Sequence, residues 1–78
     1  MFTAFVLLKL KAGKEQEVYK ALMRYSEIQG IRQVFGDFDI LARIETNDFK
    51  HIRDTVMNKI RSIDGVISTT TLIGLEEE

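Results

Sequence analysis

The chain has no cysteine, a single histidine and no long apolar run among its 78 residues. The absence of cysteine excludes disulfide frameworks, thiol nucleophiles and zinc sites built on cysteine. The longest uninterrupted apolar run spans residues 4–8, which is too short for a transmembrane helix or for the core of a signal peptide. We therefore expect a cytoplasmic protein with no membrane partner.

The chain also lacks an excess of charge of either sign. Its 11 Lys and Arg residues are balanced by 12 Asp and Glu residues, and the formal net charge is -1. A DNA-binding module normally carries a basic excess, so we expect no direct binding to nucleic acid. The length predicts a single domain over residues 1–78. A core this small is rarely stable without metal, disulfide or oligomerisation, so association between subunits is expected.

The first half of the chain predicts a strand, a helix and a second strand. Aromatic and branched residues at 2–10 predict a strand that is apolar on both faces. From Lys14 onward the apolar residues follow helical spacing, and Gly13 is a weak N-cap candidate. The mixed pattern of residues 28–35 predicts a half-exposed edge strand.

A hairpin and a second strand-helix-strand series are predicted after that edge strand. Gly36 and Asp37 are the predicted central residues of a turn, and a glycine at the first of these two positions favours a hairpin with a loop of two or four residues. The strand that follows, residues 38–45, is again apolar on both faces.

The next segment predicts a second helix and a fourth strand. Thr46 or Asn47 can cap the helix, and Gly65 is expected to end it. Residues 66–73 form the last strand, and residues 74–78 are expected to be a frayed acidic tail. The apolar stripe of this helix consists of Phe49, Ile52, Val56, Ile60 and Ile63.

The order β-α-β-β-α-β predicts an α+β, ferredoxin-like fold, in which two helices cover one face of a four-stranded antiparallel sheet. Strands one and three are central in that topology, and they are the two strands that are apolar on both faces. The other sheet face would then be an uncovered apolar patch, which monomers seldom tolerate, so we expect a dimer. One member of each of these pairs must lie on that face: Phe5 or Val6, Leu7 or Leu8, and Ile40 or Leu41.

Catalytic and metal sites have little support in the sequence. His51 lies among charged residues of the second helix and is expected to be a solvated side chain. Asp37, Asp39 and Glu45 lack the spacing of a calcium loop, so we expect no metal and no cofactor. No phosphate loop or nucleophile motif is present, which argues against an enzyme.

RNA-recognition motifs share this element order and stack bases on aromatic residues of their central strands. Phe5 and Phe38 are the aromatic residues that this role would require here. Asp37 and Asp39 flank Phe38, and they would repel phosphate. RNA binding is therefore disfavoured.

Two polar clusters remain, residues 36–39 at the hairpin and the hydroxyl run at residues 68–71. Each has a purely structural explanation, as a glycine turn with solubilising acids and as β-favouring residues on an edge strand. As a binding site, the carboxylates would accept from an ammonium group, while the hydroxyls and turn amides would donate to a carboxylate. Such a set suits a zwitterion.

Residues 4–9, 34–43 and 59–73 resemble the ligand-binding (RAM) domain of the Lrp/AsnC transcription regulators, and the resemblance runs from about residue 2 to residue 73. Its most specific element is a Gly-x-x-Asp turn combined with a Gly-Val-x-x-Thr-x-Thr fourth strand. In that family the domain binds amino acids between subunits, dimerises through its sheets and forms rings of dimers. The candidate ligand-binding residues that follow are Gly36, Asp37, Asp39, Ser68, Thr69 and Thr71.

Within this set, Asp39 is the expected partner of the ligand ammonium, at an exposed hairpin end. Thr69 and Thr71 are expected to share one face of their strand. The resemblance implies a homodimer or a larger octamer or decamer and an amino-acid effector, with the chain either sensing amino acids alone or co-assembling with a full-length Lrp/AsnC regulator. We expect no helix-turn-helix domain in this chain. The alternatives are an ACT-like amino-acid domain and a small dimeric α/β-barrel enzyme of monooxygenase type.

Overall fold

The structure is a computed structural model that describes residues 1–74. Its four strands form one antiparallel sheet in the order β2-β3-β1-β4, so the first and third strands are central, as the sequence predicts. Of the acidic tail predicted at residues 74–78, Gly74 belongs to the last strand, and residues 75–78 lie outside the described residues. The elements are β1 Phe2–Leu10, α1 Glu15–Met23, β2 Gly30–Gln33, β3 Ile40–Thr46, α2 Phe49–Thr55 with a π-helical extension at Val56–Ile60, and β4 Val66–Gly74.

Both helices pack on the same face of this sheet and share one hydrophobic core with it. Val6 and Leu8 of β1 and Ile40 of β3 are completely buried there. The structure thus decides which member of each predicted pair faces the helices. Their neighbours along the strands therefore project from the other face. The buried hydrophobic cluster comprises Ala4, Val6, Leu8, Leu10, Val18, Leu22, Ile40, Ala42, Ile44, Ile52, Val56 and Ile60.

The β2–β3 hairpin differs from its predicted boundaries. β2 ends at Gln33 rather than at residue 35. Beyond Gln33 the two strands are joined by one more backbone hydrogen bond, which the Val34 N–H donates to the Asp39 carbonyl at 3.0 Å. The loop is thus residues 35–38, which is the four-residue alternative. Gly36 adopts φ 115°, a left-handed conformation that favours glycine, and Phe35 is wholly exposed.

Two predicted helix caps are wrong. The N-cap of α2 is Asp48, whose carboxylate accepts from the Lys50 N–H at 2.9 Å, while Thr46 accepts from the Asp48 N–H instead. Asp48 has the extended backbone that an N-cap requires, and its oxygen reaches an amide that the helix leaves without an internal partner. Lys14, not Gly13, occupies the N-cap position of α1.

The second helix ends earlier than predicted. Its π-helical extension stops at Ile60, where the Arg61 N–H donates to the Val56 carbonyl, so Gly65 lies five residues beyond the end. Gly65 has a different role, because a Cβ atom there would lie 2.7 Å from the Cβ of Lys14. Because Gly65 has no side chain, the backbone can pass close to the start of α1 before β4 begins.

A contact between Glu27 and Lys59 joins the α1–β2 connection to the π-helical extension. The Lys59 ammonium donates a hydrogen bond to the Glu27 carboxylate and lies 5.6 Å from the centre of the Tyr25 ring. This hydrogen bond lowers the pKa of Glu27 from its ordinary value. A lowered folded-state pKa means that the contact stabilises the protein above the unfolded-state pKa and ceases to do so as the pH falls through the folded-state pKa.

We expect Glu27→Gln to reduce the free energy of unfolding by about 0.5 to 1 kcal/mol at pH 7, because the variant loses the charge-assisted contact with Lys59. The difference from wild type should shrink as the pH is lowered from 7 to about 3, since wild-type Glu27 is then protonated as well. Urea unfolding of both proteins between pH 7 and about pH 3 measures this difference in the free energy of unfolding. In a Lys59→Gln background the pH-dependent difference should be smaller, because the largest cause of the lowered Glu27 pKa is removed, and an equal difference in both backgrounds would contradict the assignment.

Candidate ligand-binding site

The hairpin loop places Gly36 and Asp37 at the surface, beyond the last hydrogen-bonded pair of β2 and β3. The Asp37 carbonyl accepts from the Lys9 ammonium at 3.4 Å, which ties the loop to β1. Both loop residues are exposed, and the amides of the loop are available for hydrogen bonds with a ligand or a neighbouring subunit.

Asp39 is not the exposed hairpin end that the sequence suggests. Its N–H donates to the Leu8 carbonyl at 2.8 Å, and its carboxylate oxygen Oδ2 accepts from the Leu10 N–H at 2.8 Å. The side chain is consequently half-buried and held against β1. Among residues 1–74 its second oxygen, Oδ1, accepts no hydrogen bond, so one carboxylate oxygen remains available for a ligand.

A cleft of about 380 Å³ opens beside Asp39, between the hairpin and the start of α1. Its lining combines the carboxylates of Asp39 and Glu15 with the amide of Gln33. Two carboxylates at one cleft favour a cationic group such as an ammonium. The sequence pattern does not indicate Glu15 and Gln33, because an acid in the first turn of a helix and an amide on an edge strand have ordinary structural explanations. The lining residues are Glu15, Gln33, Val34, Phe35 and Asp39.

The three candidate hydroxyls of β4 point to opposite faces of the sheet. Thr69 pairs with Leu8 and Thr71 with Val6, both of which are buried beneath the helices, so the two threonines share the helix-covered face as predicted. Ser68 pairs with Lys9 and projects from the uncovered face. The structure therefore separates Ser68 from the two threonines.

Thr71 lines a second cleft, a largely apolar groove of about 250 Å³ between α2 and β4. Phe49 and Met57 are about half exposed along this groove, and the Phe49 ring stacks on Phe2 with centroids 4.8 Å apart. The hydroxyl of the half-buried Thr71 in this apolar groove suits a ligand or partner group with both apolar and polar atoms. The groove residues are Phe49, Ile52, Arg53, Val56, Met57, Thr71 and Ile73.

The cleft beside Asp39 and the threonines of β4 are separated within one subunit. Strands β3 and β4 both pair with β1, which lies between them. Neighbouring strands are about 4.8 Å apart, so β3 and β4 lie about 10 Å apart. The ammonium and carboxylate of an α-amino acid are attached to a single carbon atom, and one such ligand cannot contact Asp39 and Thr71 of the same subunit. A site that uses both sets requires two subunits.

Within residues 1–74 no element covers the sheet face opposite the helices, and we call this face the open face. Near its centre lies an apolar patch formed by Phe5, Leu7, Leu41 and Leu72, which are placed together by the register of β1 with its two neighbours. Phe5 is 36% exposed and Leu72 54% exposed. The predicted uncovered apolar surface is thereby confirmed, and its members are now assigned.

The described part of the chain contains no helix long and apolar enough to span a membrane. Within residues 1–74, His, Asp and Glu side chains also form no group of three or more that could hold a metal ion.

Comparison with known proteins places the whole chain in one family. A model of the Lrp/AsnC ligand binding domain matches residues 3–78. The HTH-type transcriptional regulator FL11 of Pyrococcus furiosus is 37% identical over 73 residues, which are 94% of this chain and 48% of that regulator. The chain thus spans about half the length of the curated relatives it matches.

Two solved structures illustrate the same similarity in three dimensions. The crystal structure of FFRP-DM1 matches with a TM-score of 0.89 and 33% identity, over 96% of this chain and 100% of that one. A transcriptional regulator from Neisseria meningitidis, in complex with L-Met, matches with a TM-score of 0.84 over 97% of this chain and 51% of that one. At 19% identity the second match shows the fold alone.

The family model describes a ligand-binding domain and the curated relative FL11 is named as a transcriptional regulator, which supports a regulatory ligand-binding role and not the monooxygenase-type enzyme. The Gly-x-x-Asp hairpin and the threonine-rich fourth strand, which suggested the resemblance, lie within the matched residues. The chain belongs to the Lrp/AsnC ligand-binding domain family.

Proposed function

We propose that this chain is an amino-acid-sensing domain that binds its effector between subunits and acts through ligand binding and assembly. The observation that carries the proposal is the cleft beside Asp39, where two carboxylates, one of them with an unused oxygen, adjoin a loop of exposed residues. A related fold in complex with L-Met supports an amino acid as the ligand class.

In the proposed complex, the ligand ammonium donates to Oδ1 of Asp39, and Glu15 adds a second negative charge at the same cleft. The ligand carboxylate accepts from amides of the loop at residues 36–37 or from Thr69 and Thr71 of a neighbouring subunit. The second of these arrangements uses a neighbouring subunit, because β3 and β4 are about 10 Å apart within one subunit. Ligand binding would thereby be coupled to assembly.

The open face provides the proposed dimer interface, because two apolar patches in contact would remove both from water. An octamer or decamer built from such dimers, and co-assembly with a full-length Lrp/AsnC regulator, are further proposals that rest on the family. We also propose a cytoplasmic location and no direct contact of residues 1–78 with DNA, since their net charge is -1.

Calorimetric titration of the full chain with each of the twenty amino acids tests the proposed function. We expect a small subset to bind with dissociation constants between about 1 μM and 1 mM, with saturation at one ligand per subunit or per subunit pair. Sedimentation velocity with and without the binding amino acid should show a change in the population of assemblies. Absence of saturable heat for all twenty at 10 mM would contradict the proposal.

A further inference from the structure

A second polar cavity lies on the open face, at its β2 side, and it has the opposite charge to the cleft beside Asp39. Its volume is about 290 Å³, and two of its lining residues are the arginines Arg32 and Arg43. None of its lining residues is acidic. The complete lining is Phe5, Gly30, Ile31, Arg32, Leu41 and Arg43.

Strand register brings the two arginines to one place. Arg32 pairs with Leu41, and Arg43 is two residues further along β3, so both side chains project from the same face as diagonal neighbours. Such diagonal positions are about 7 to 8 Å apart at their backbones, which two long guanidinium side chains easily span. The fork-shaped guanidinium donors can therefore converge on one acceptor group.

The Arg43 side chain is 44% exposed as a whole, but its Nε donor is buried and has no hydrogen-bond partner among the described residues. The nearest carboxylate oxygen, from Glu45, is 3.7 Å away, which is beyond hydrogen-bond distance. A buried donor without an acceptor is unusual in a folded protein, and a bound acceptor is one of its common explanations.

The cavity exists because the residue opposite Arg43 on β2 is Gly30. A Cβ atom at Gly30 would lie 3.4 Å from Nη2 of Arg43, at the tight end of ordinary contacts. Phe5, which pairs with Arg43 from β1, and Leu41 provide apolar walls. Apolar walls reduce the effective dielectric constant, so charge-charge attraction in the cavity is stronger than in water.

We propose that Arg32 and Arg43 form an oxyanion-binding site on the open face, suited to a carboxylate or phosphate group. The planar guanidinium groups match the geometry of both anions and can bind them with paired hydrogen bonds. The anion comes either from a small molecule in solution or from a carboxylate side chain of a second copy packed on the open face. The site shares Phe5 and Leu41 with the apolar patch, so a carboxylate of a second copy packed on the open face would lie close to it.

The test is an NMR titration of the full chain with inorganic phosphate, and separately with acetate, at constant ionic strength. The Nε–H resonances of the arginines report directly on the site. We expect saturable shifts for Arg32 and Arg43 with a midpoint of about 1 to 10 mM. Arg43→Gln should raise the midpoint measured at Arg32 by at least about tenfold, as expected for loss of a charge-assisted contact.

Three further variants sharpen the assignment. Glu45→Gln should lower the midpoint, because it removes a negative charge 3.7 Å from Nε of Arg43. Gly30→Ala should raise the midpoint by pressing on the guanidinium. Arg61→Gln is the matched control, since this exposed arginine contacts Met57 on the helical side, and it should leave the midpoint unchanged. If Arg43→Gln does not fold, Arg43→Lys is the alternative variant. It keeps the positive charge but removes the paired guanidinium donors, so it should raise the midpoint severalfold.

Sedimentation equilibrium with and without phosphate distinguishes the two sources of the anion. A small-molecule site binds phosphate while the dimer dissociation constant stays the same. A site for the carboxylate of a second copy gives a dimer that phosphate weakens and that Arg43→Gln weakens as well. Shifts that increase linearly up to 100 mM phosphate, or equal midpoints for Arg43→Gln and Arg61→Gln, would overturn the proposal.

Discussion

Asp39→Asn should weaken amino-acid binding by one to two orders of magnitude while preserving most of the stability of the fold. The asparagine amide oxygen can still accept from the Leu10 N–H, but the side chain no longer carries the negative charge that attracts the ligand ammonium. A charge-assisted hydrogen bond contributes about 1.5 to 3 kcal/mol, which corresponds to this loss of affinity. Calorimetric titration with an amino acid that binds the wild type measures it.

Asp39→Ala should weaken binding at least as much, but it should also destabilise the protein. Removing the carboxylate leaves the Leu10 N–H without an acceptor in a partly buried position, at a cost of about 1 to 3 kcal/mol. The alanine variant alone therefore confuses two effects, which the asparagine variant separates. Asp54→Asn on α2 makes the same change of charge away from the cleft and should leave the affinity unchanged. Unaltered affinity in Asp39→Asn, with unaltered assembly, would show that Asp39 serves only the hairpin.

Leu7→Lys should convert the proposed dimer into a folded monomer. Leu7 lies on the open face between Leu41 on β3 and Thr70 on β4, so a lysine there would place an unpaired ammonium within the apolar interface. We expect the dimer dissociation constant to rise by at least about a hundredfold, which corresponds to roughly 2.7 kcal/mol. Sedimentation equilibrium measures the association, and circular dichroism verifies that the fold is retained. Leu41→Lys, on the neighbouring strand, should have the same effect.

The matched control for this interface is Met23→Lys. Met23 is 64% exposed at the end of α1, outside the open face, so the same type of substitution should leave association unchanged. A wild-type chain that is a well-folded monomer at micromolar concentration would show that the interface argument is wrong. So would a Leu7→Lys variant that remains dimeric with the wild-type dissociation constant.

The strand and helix order was predictable because each element carries its own periodicity. A central strand must be apolar on both faces when one face is covered by helices and the other by a second subunit, and residues 2–10 and 38–45 show this pattern. The edge strand predicted at residues 28–35 is present as Gly30–Gln33, but its ends were predicted wrongly, and Phe35 extends the apolar pattern beyond the real strand. Hydrophobicity alone cannot distinguish a strand residue from an exposed aromatic residue in a loop.

The candidate site was predictable only in part. The period of two along a strand correctly places Thr69 and Thr71 on one face, and it equally places Ser68 on the other. The half-burial of Asp39 could not be anticipated, because its acceptor role depends on the Leu10 N–H, 29 residues away in the chain. Glu15 joins the same cleft from α1, and nothing local in the sequence distinguishes it from an ordinary helix-terminal acid.

The sequence by itself determined the element order, the central position of the first and third strands and the presence of an uncovered apolar surface. These properties depend on local periodicity and on composition, which every segment carries independently of its neighbours. Only the tertiary structure decided which alternate residues face the helices, that Asp39 and Thr71 lie on opposite sides of β1, and that Arg32 and Arg43 line one cavity. Those properties depend on strand register and on contacts between residues distant in the chain, and a pattern within one segment contains no information about either.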